Sequence, residues 1–147
     1  MSDEAEPRPM AGPQGYRKLI VWQEAGRLRQ TIHRMTTDFS KIEVRRTSQM
    51  RDAARSVKQN IQEGYARRSL GEYIHALEIS KGSLAELRGD VEDCFQDGLV
   101  PEEELREVVS LINRTDYLLF RLIQALRNKQ RQKNARPYPD RRQAVRS

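Results

Sequence analysis

Residues 105–126 read LREVVSLINRTDYLLFRLIQAL, and this stretch decides the fold class. Leu105, Val108, Val109, Ile112, Leu119, Leu122, Ile123 and Leu126 fall on one face of an α-helix. Leu111, Leu118 and Phe120 widen that face beyond what one core stripe needs, so a contact between subunits is expected there. Just upstream, Pro101 with Glu102, Glu103 and Glu104 has the make-up of a first helical turn, its acids at the positive end of the helix dipole. Gly98 fits the left-handed residue that ends the helix before it.

Toward the N-terminus the same period returns. Ser69 and Glu72 have capping-box spacing, and Leu70, Tyr73, Ile74, Leu77, Leu84, Leu87, Val91 and Cys94 follow as a stripe. Ser80, Gly82 and Ser83 leave room in that stripe for the close approach of another backbone. Met50, Ala53, Ala54, Val57, Ile61 and Gly64 mark an earlier helix. Leu19, Trp22, Ala25, Leu28, Ile32, Met35 and Phe39 mark the first, expected at about residues 17–36, with turn chemistry in Thr37, Asp38 and Ser40. Four helices with short connections predict an all-α, antiparallel up-and-down four-helix bundle. Residues 1–15, with Pro7, Pro9 and Pro13, read as disordered, 16–128 as the bundle, and 129–147 as a basic flexible tail beyond a helix that frays past Arg127.

The length of 147 residues suits one domain whose core needs neither disulfide nor metal. A hydrophobic share of 37% beside 33% charged residues fits helices that bury one stripe, and argues against a large sandwich or barrel. No run of about 18 apolar residues occurs and no secretory signal opens the chain, so a cytoplasmic, membrane-free location is expected. Cys94, the single cysteine, reads as a buried inert thiol. The formal charge of +6 is unevenly placed: eight cations follow Leu126 against Asp140 alone.

Glu72 and His75 have the Glu-x-x-His spacing of di-iron bundles. Such a site needs the motif twice, and His33 has Gln30 three residues before it, so no metal or other cofactor is expected. No phosphate-binding glycine loop or nucleophile-and-base motif is present, and the chain reads as non-enzymatic. On the second helix Arg51, Arg55 and Lys58 line up along one flank, where three cations can track phosphates and gain affinity from counterion release. The plainer reading is a solvated or paired flank. These three, with Arg67 and Arg68 and with Arg127, Lys129, Arg131, Lys133, Arg136, Arg141 and Arg142, make up the candidate nucleic-acid-binding set.

Taken in order, YRKLIVWQ at 16–23, MRDAARSVKQNIQEG at 50–64, and the segment from Glu72-Tyr73-Ile74 to GSLAEL at 82–87 resemble the bacterial four-helix bundle proteins encoded in intervening sequences of 23S ribosomal RNA genes. The resemblance implies an antiparallel bundle closed into a homopentameric ring, and no catalytic residues. It also implies kinship with the accessory variability protein of diversity-generating retroelements, which binds a reverse transcriptase and its RNA. Matching positions include Arg51, Asn60, Glu63, Gly64, Arg67, Ser83 and Glu86. Their architectural reading has Asn60, Ser83 and Glu86 satisfying one another or backbone groups, and Gly64 permitting close packing. Lys58, Gln62 and Arg55 depart from that family's usual proline, alanine and small or apolar residue, which makes this flank more polar. The expected protein is a homo-oligomeric scaffold that binds RNA or another nucleic acid through basic surfaces, with a reverse transcriptase or ribonucleoprotein as a further partner. The alternative is a protein-protein adaptor without nucleic-acid contact.

Overall fold

A computed structural model describes residues 14–135. Within them lie a 3-10 turn at Gly15–Lys18, α1 at Ile20–Thr37, a second 3-10 turn at Lys41–Glu43, α2 at Val44–Tyr65, α3 at Leu70–Gln96 and α4 at Glu102–Ala135, with no strand. The local signals act where they stand in the sequence. Ser69 Oγ accepts the Glu72 backbone N–H at 3.1 Å and donates to Glu72 Oε1 at 3.1 Å, capping α3. Gly98 takes φ of +76°, and the N–H groups of Gly98 and Leu99 return to the carbonyls of Phe95 and Cys94 at 3.0 and 2.9 Å. That pair of reverse bonds closes α3 in the manner a C-terminal glycine permits. The Pro101 carbonyl accepts the Leu105 N–H at 3.1 Å and opens α4.

Helices adjacent in sequence meet in inverse residue order. Thr36 faces Arg51 and Trp22 faces Lys58 across α1 and α2; Ser56 faces Ser83 and Gly64 faces Tyr73 across α2 and α3. Arg88 reaches Asn113 and Glu78 pairs with Arg127 across α3 and α4, and α1 also packs against α4. The stripes converge on one core in which Leu28, Met50, Ile61, Leu77, Leu87 and Leu119 are fully buried. At about 25 cal/mol per Å² of apolar surface removed from water, this shared core is the main stabilising term.

The α2–α3 contact is the closest. A Cβ on Gly64 would stand 2.9 Å from Ala76 Cβ and 3.0 Å from Tyr73 Cδ1, so only glycine fits. Polar groups in the same seam satisfy each other: Asn60 Nδ2 donates to Ser56 O at 2.8 Å, Ser56 and Ser83 hydroxyls lie 2.8 Å apart, and buried Ser80 donates to the Val57 carbonyl at 2.7 Å. Glu86 is exposed and takes no part in this chain of bonds.

Three expectations shift. Helix α1 begins at Ile20, after the separate turn at Gly15–Lys18. Helix α4 does not end near Arg127 but runs to Ala135. Residues 127–135 contain no glycine or proline and are mostly good helix formers, and the first barrier is Pro137, which disfavours helix in the residue before it. Leu118, expected as surplus surface, is buried at 8% exposure. It sits one turn from Arg114, which reaches α1, so it faces the α1 side of the core. Phe120 does stand exposed at 47%, beside Tyr117 at 55%.

Candidate nucleic-acid interface

Inverse pairing brings the α1–α2 and α3–α4 connections to one end of the molecule. The 3-10 turn at Gly15–Lys18, the α2–α3 connection and the last turns of α4 gather at the other. Tyr16 and Tyr65 rings pack edge-on at 6.5 Å there, and a Cβ on Gly71 would lie 3.5 Å from Gln130 Nε2.

At the first end Arg46 and Arg106 are held by acids, while Lys41 and Arg45 stand exposed without an ion pair among the described residues. Arg46 bonds Glu43 Oε2 and Asp97 Oδ2, each at 2.8 Å, and its Nη1 lies 3.8 Å from Cys94 Sγ. Those bonds, Asp97 first, hold the Arg46 guanidinium charged well above its ordinary range. Cys94 is buried against Met50 Sδ at 3.5 Å, and burial pushes its thiol up despite Arg46, which makes it a poor nucleophile. Arg106 pairs with Glu102 at 3.1 Å.

At the second end the balance reverses. Arg67 and Arg68, in the α2–α3 connection, are exposed, as are Lys129, Arg131 and Lys133 on the final turns of α4. Among the described residues none of these five forms an ion pair; Arg131 donates to Asn128 Oδ1 at 2.6 Å. The latter three, expected in a flexible tail, therefore stand on a helix. Arg127 is committed to Glu78 at 2.8 Å. Arg136, Arg141 and Arg142 lie outside the described residues, as do residues 1–13.

The flank of α2 divides. Arg51 caps the end of α1: its Nε donates to Thr36 Oγ1 at 2.9 Å and its Nη2 to the His33 carbonyl at 3.2 Å. It serves the last carbonyls of a helix, where a cation is favoured, and is not a free phosphate contact. Arg55 is exposed. Lys58 is half-buried, its Nζ 4.7 Å above the Trp22 ring, a cation–π contact.

Sequence reasoning missed Glu24. It is 4% exposed, and its Oε2 accepts from Arg114 Nε at 3.1 Å with Arg27 at 3.9 Å, linking α1 to α4. A lone acid beside an apolar stripe carries no signal for such a partner ninety positions away. Among the described residues no three of His, Cys, Asp and Glu converge as a metal would need, and Glu72 is occupied as a cap. No helix there is long and apolar enough to cross a membrane.

The class this geometry defines is an all-helical, four-helix protein with one basic end. A family model described as 23S rRNA-intervening sequence protein matches residues 17–121, from the turn before α1 into the second half of α4, and the chain belongs to that family. The last basic turns of α4 lie beyond the match. No curated protein matches the chain.

Proposed function

We propose that this antiparallel up-and-down bundle is a non-enzymatic cytoplasmic scaffold that assembles with copies of itself, as a homopentamer, and binds RNA by phosphate attraction. The observation that carries the RNA reading is the basic end: Arg67 and Arg68 beside Lys129, Arg131 and Lys133, all exposed and without acidic partners among the described residues. Such cations can neutralise phosphates without first breaking an ion pair, and each contact releases counterions. Binding of this kind positions a nucleic acid without reading its sequence. The family's description, which names 23S rRNA, supports RNA as the nucleic acid. Several basic ends in one assembly raise avidity, since one engaged end holds the others at high effective concentration. A reverse transcriptase or ribonucleoprotein is the further partner in this reading.

Assembly is supported by exposed apolar side chains on adjoining helices, Tyr117 and Phe120 on α4 and Ile79 on α3. The same side chains favour the adaptor reading, in which another protein docks there and the cations serve solubility. Titration of labelled RNA into the intact chain, and into a chain with Arg67, Arg68, Lys129, Arg131 and Lys133 replaced by Gln, separates the two. Strong loss of binding on replacement supports the RNA scaffold. Absence of binding by the intact chain at low salt leaves the adaptor. Light scattering tests assembly, and a stable 17.2 kDa particle at micromolar concentration contradicts it.

A further inference from the structure

Lys58 behaves unlike the other cations of its flank. On α1, Trp22, Gly26 and Arg29 share one face, and the Lys58 side chain crosses it from α2. Its Cε lies 3.9 Å from where a Gly26 Cβ would stand, and its ammonium sits over the indole at 4.7 Å. Tyr16 packs edge-on to Trp22 at 5.2 Å, and the Arg17 guanidinium stands 5.9 Å from the Tyr16 ring. The result is a layer of Arg17, Tyr16, Trp22 and Lys58, with Arg29 two turns beyond Trp22 on the same face of α1.

This corner is rich in cationic donors. Burial pulls the Lys58 ammonium below its usual range, and Arg29 and then Arg17 pull it further. Among the described residues no carboxylate pairs with any of the three cations. Glu24, the nearest acid along α1, is turned to Arg114 and Arg27. The Trp22 indole N–H is itself buried without a partner among the described residues. A half-buried lysine repelled by two arginines is a cost to the fold that an anion would reverse. The indole fixes the ammonium in place, so less motion is lost when an anion arrives.

We infer that Lys58, held over Trp22, forms with Arg29 and Arg17 an anion site that takes a phosphate group. The inference rests on the RNA reading above and deepens it: the site lies about 10 Å along α2 from Tyr65 at the basic end. A nucleic-acid strand lying on that end can place a backbone phosphate here, and a free phosphate offers the same chemistry. Phosphate oxygens accept charge-assisted bonds from two guanidiniums and the ammonium.

Trp22 is the only tryptophan, so its emission reports on the site. The intact chain is titrated with a short single-stranded oligouridylate, with inorganic phosphate, and with KCl at matched ionic strength. Lys58→Met, which keeps the stem over the indole, and Arg29→Gln are titrated alongside, with helical content checked by circular dichroism. The expected result is a saturable change of emission with oligouridylate and, more weakly, with phosphate, and none that saturates with KCl. Each substitution should weaken the oligouridylate response roughly tenfold at unchanged helical content. Emission that follows ionic strength alone, or variants that respond as the parent does, overturns the site. Anisotropy of labelled RNA, read in parallel, separates this from the broader reading. RNA that binds with silent Trp22 and indifferent variants removes the site and keeps the basic end. A saturable phosphate response lost in both variants, with no RNA bound, keeps the site for a small phosphate anion and removes RNA. Variants that lose helical content are replaced by the thermal shift that phosphate produces in the intact chain, where no shift overturns the proposal.

Discussion

The two ends of the bundle carry arginines of the same chemistry in different surroundings. At the end of the α1–α2 and α3–α4 connections, Arg46 spans Glu43 and Asp97 and Arg106 is paired with Glu102, so these cations hold structure together. At the other end Arg67, Arg68, Lys129, Arg131 and Lys133 project from a turn and a helix end with no acid paired to them among the described residues. What sets the two groups apart is whether an acid is paired to them, not how many there are. Net charge alone says little about where an anion will settle.

The comparison breaks most completely if the helices bearing the basic end are forced apart. Gly64→Val inserts atoms where Ala76 and Tyr73 already stand within 3.0 Å of a Cβ, and should destabilise the fold by about 3 kcal/mol in denaturant unfolding. Full stability in that variant would show that α2 and α3 do not touch as described. A smaller effect sharpens the contrast. Arg46→Gln should lower stability by about 1 kcal/mol while RNA affinity holds, whereas Arg131→Gln should leave the melting temperature unchanged and weaken RNA several-fold. Equal behaviour of the two variants in both assays would erase the distinction between the ends. Arg51→Gln should follow Arg46 rather than Arg131, with a loss of about 1 kcal/mol, because its bonds go to Thr36 and the His33 carbonyl.

The smallest effect concerns Asp90. One of its carboxylate oxygens is buried without a partner among the described residues, and burial, then Glu86 and Asp93, push its carboxyl up against a weaker pull from Arg46. A folded-state value above the unfolded one means that the folded chain binds more protons. Stability is therefore lost as pH rises from the unfolded carboxylate range through the folded value. Asp90→Asn should flatten that fall and slightly raise the melting temperature at neutral pH. A lower melting temperature at every pH would assign the carboxylate a stabilising role instead.

Local signals were legible in the sequence. The four stripes, the Ser69 cap, Gly98 and Pro101 each act within a turn or two of themselves, and the helices follow them. The end of α4 was not, because residues 127–135 are polar all round and carry no hydrophobic period; only propensity and the absence of a breaker mark them as helix. Nor was the division of the α2 flank. Arg51, Arg55 and Lys58 share one face, as their spacing requires, but whether each meets a carbonyl, water or an indole depends on what α1 places opposite. The Glu24–Arg114 pair was hidden for the same reason. Leu118 and Phe120, two residues apart, were read alike, yet the rotation of α4 buries one and exposes the other.

The most direct test of the account is the salt dependence of RNA affinity, measured for the intact chain and for the chain with Arg67, Arg68, Lys129, Arg131 and Lys133 changed to Gln. Phosphate contacts by these five side chains predict a steep fall of affinity with salt in the intact chain. The slope of log K against log salt should become shallower by up to about 3.5 in the variant, from roughly 0.7 per contact on a single strand. Equal slopes for the two proteins would contradict the claim that the basic end holds the RNA.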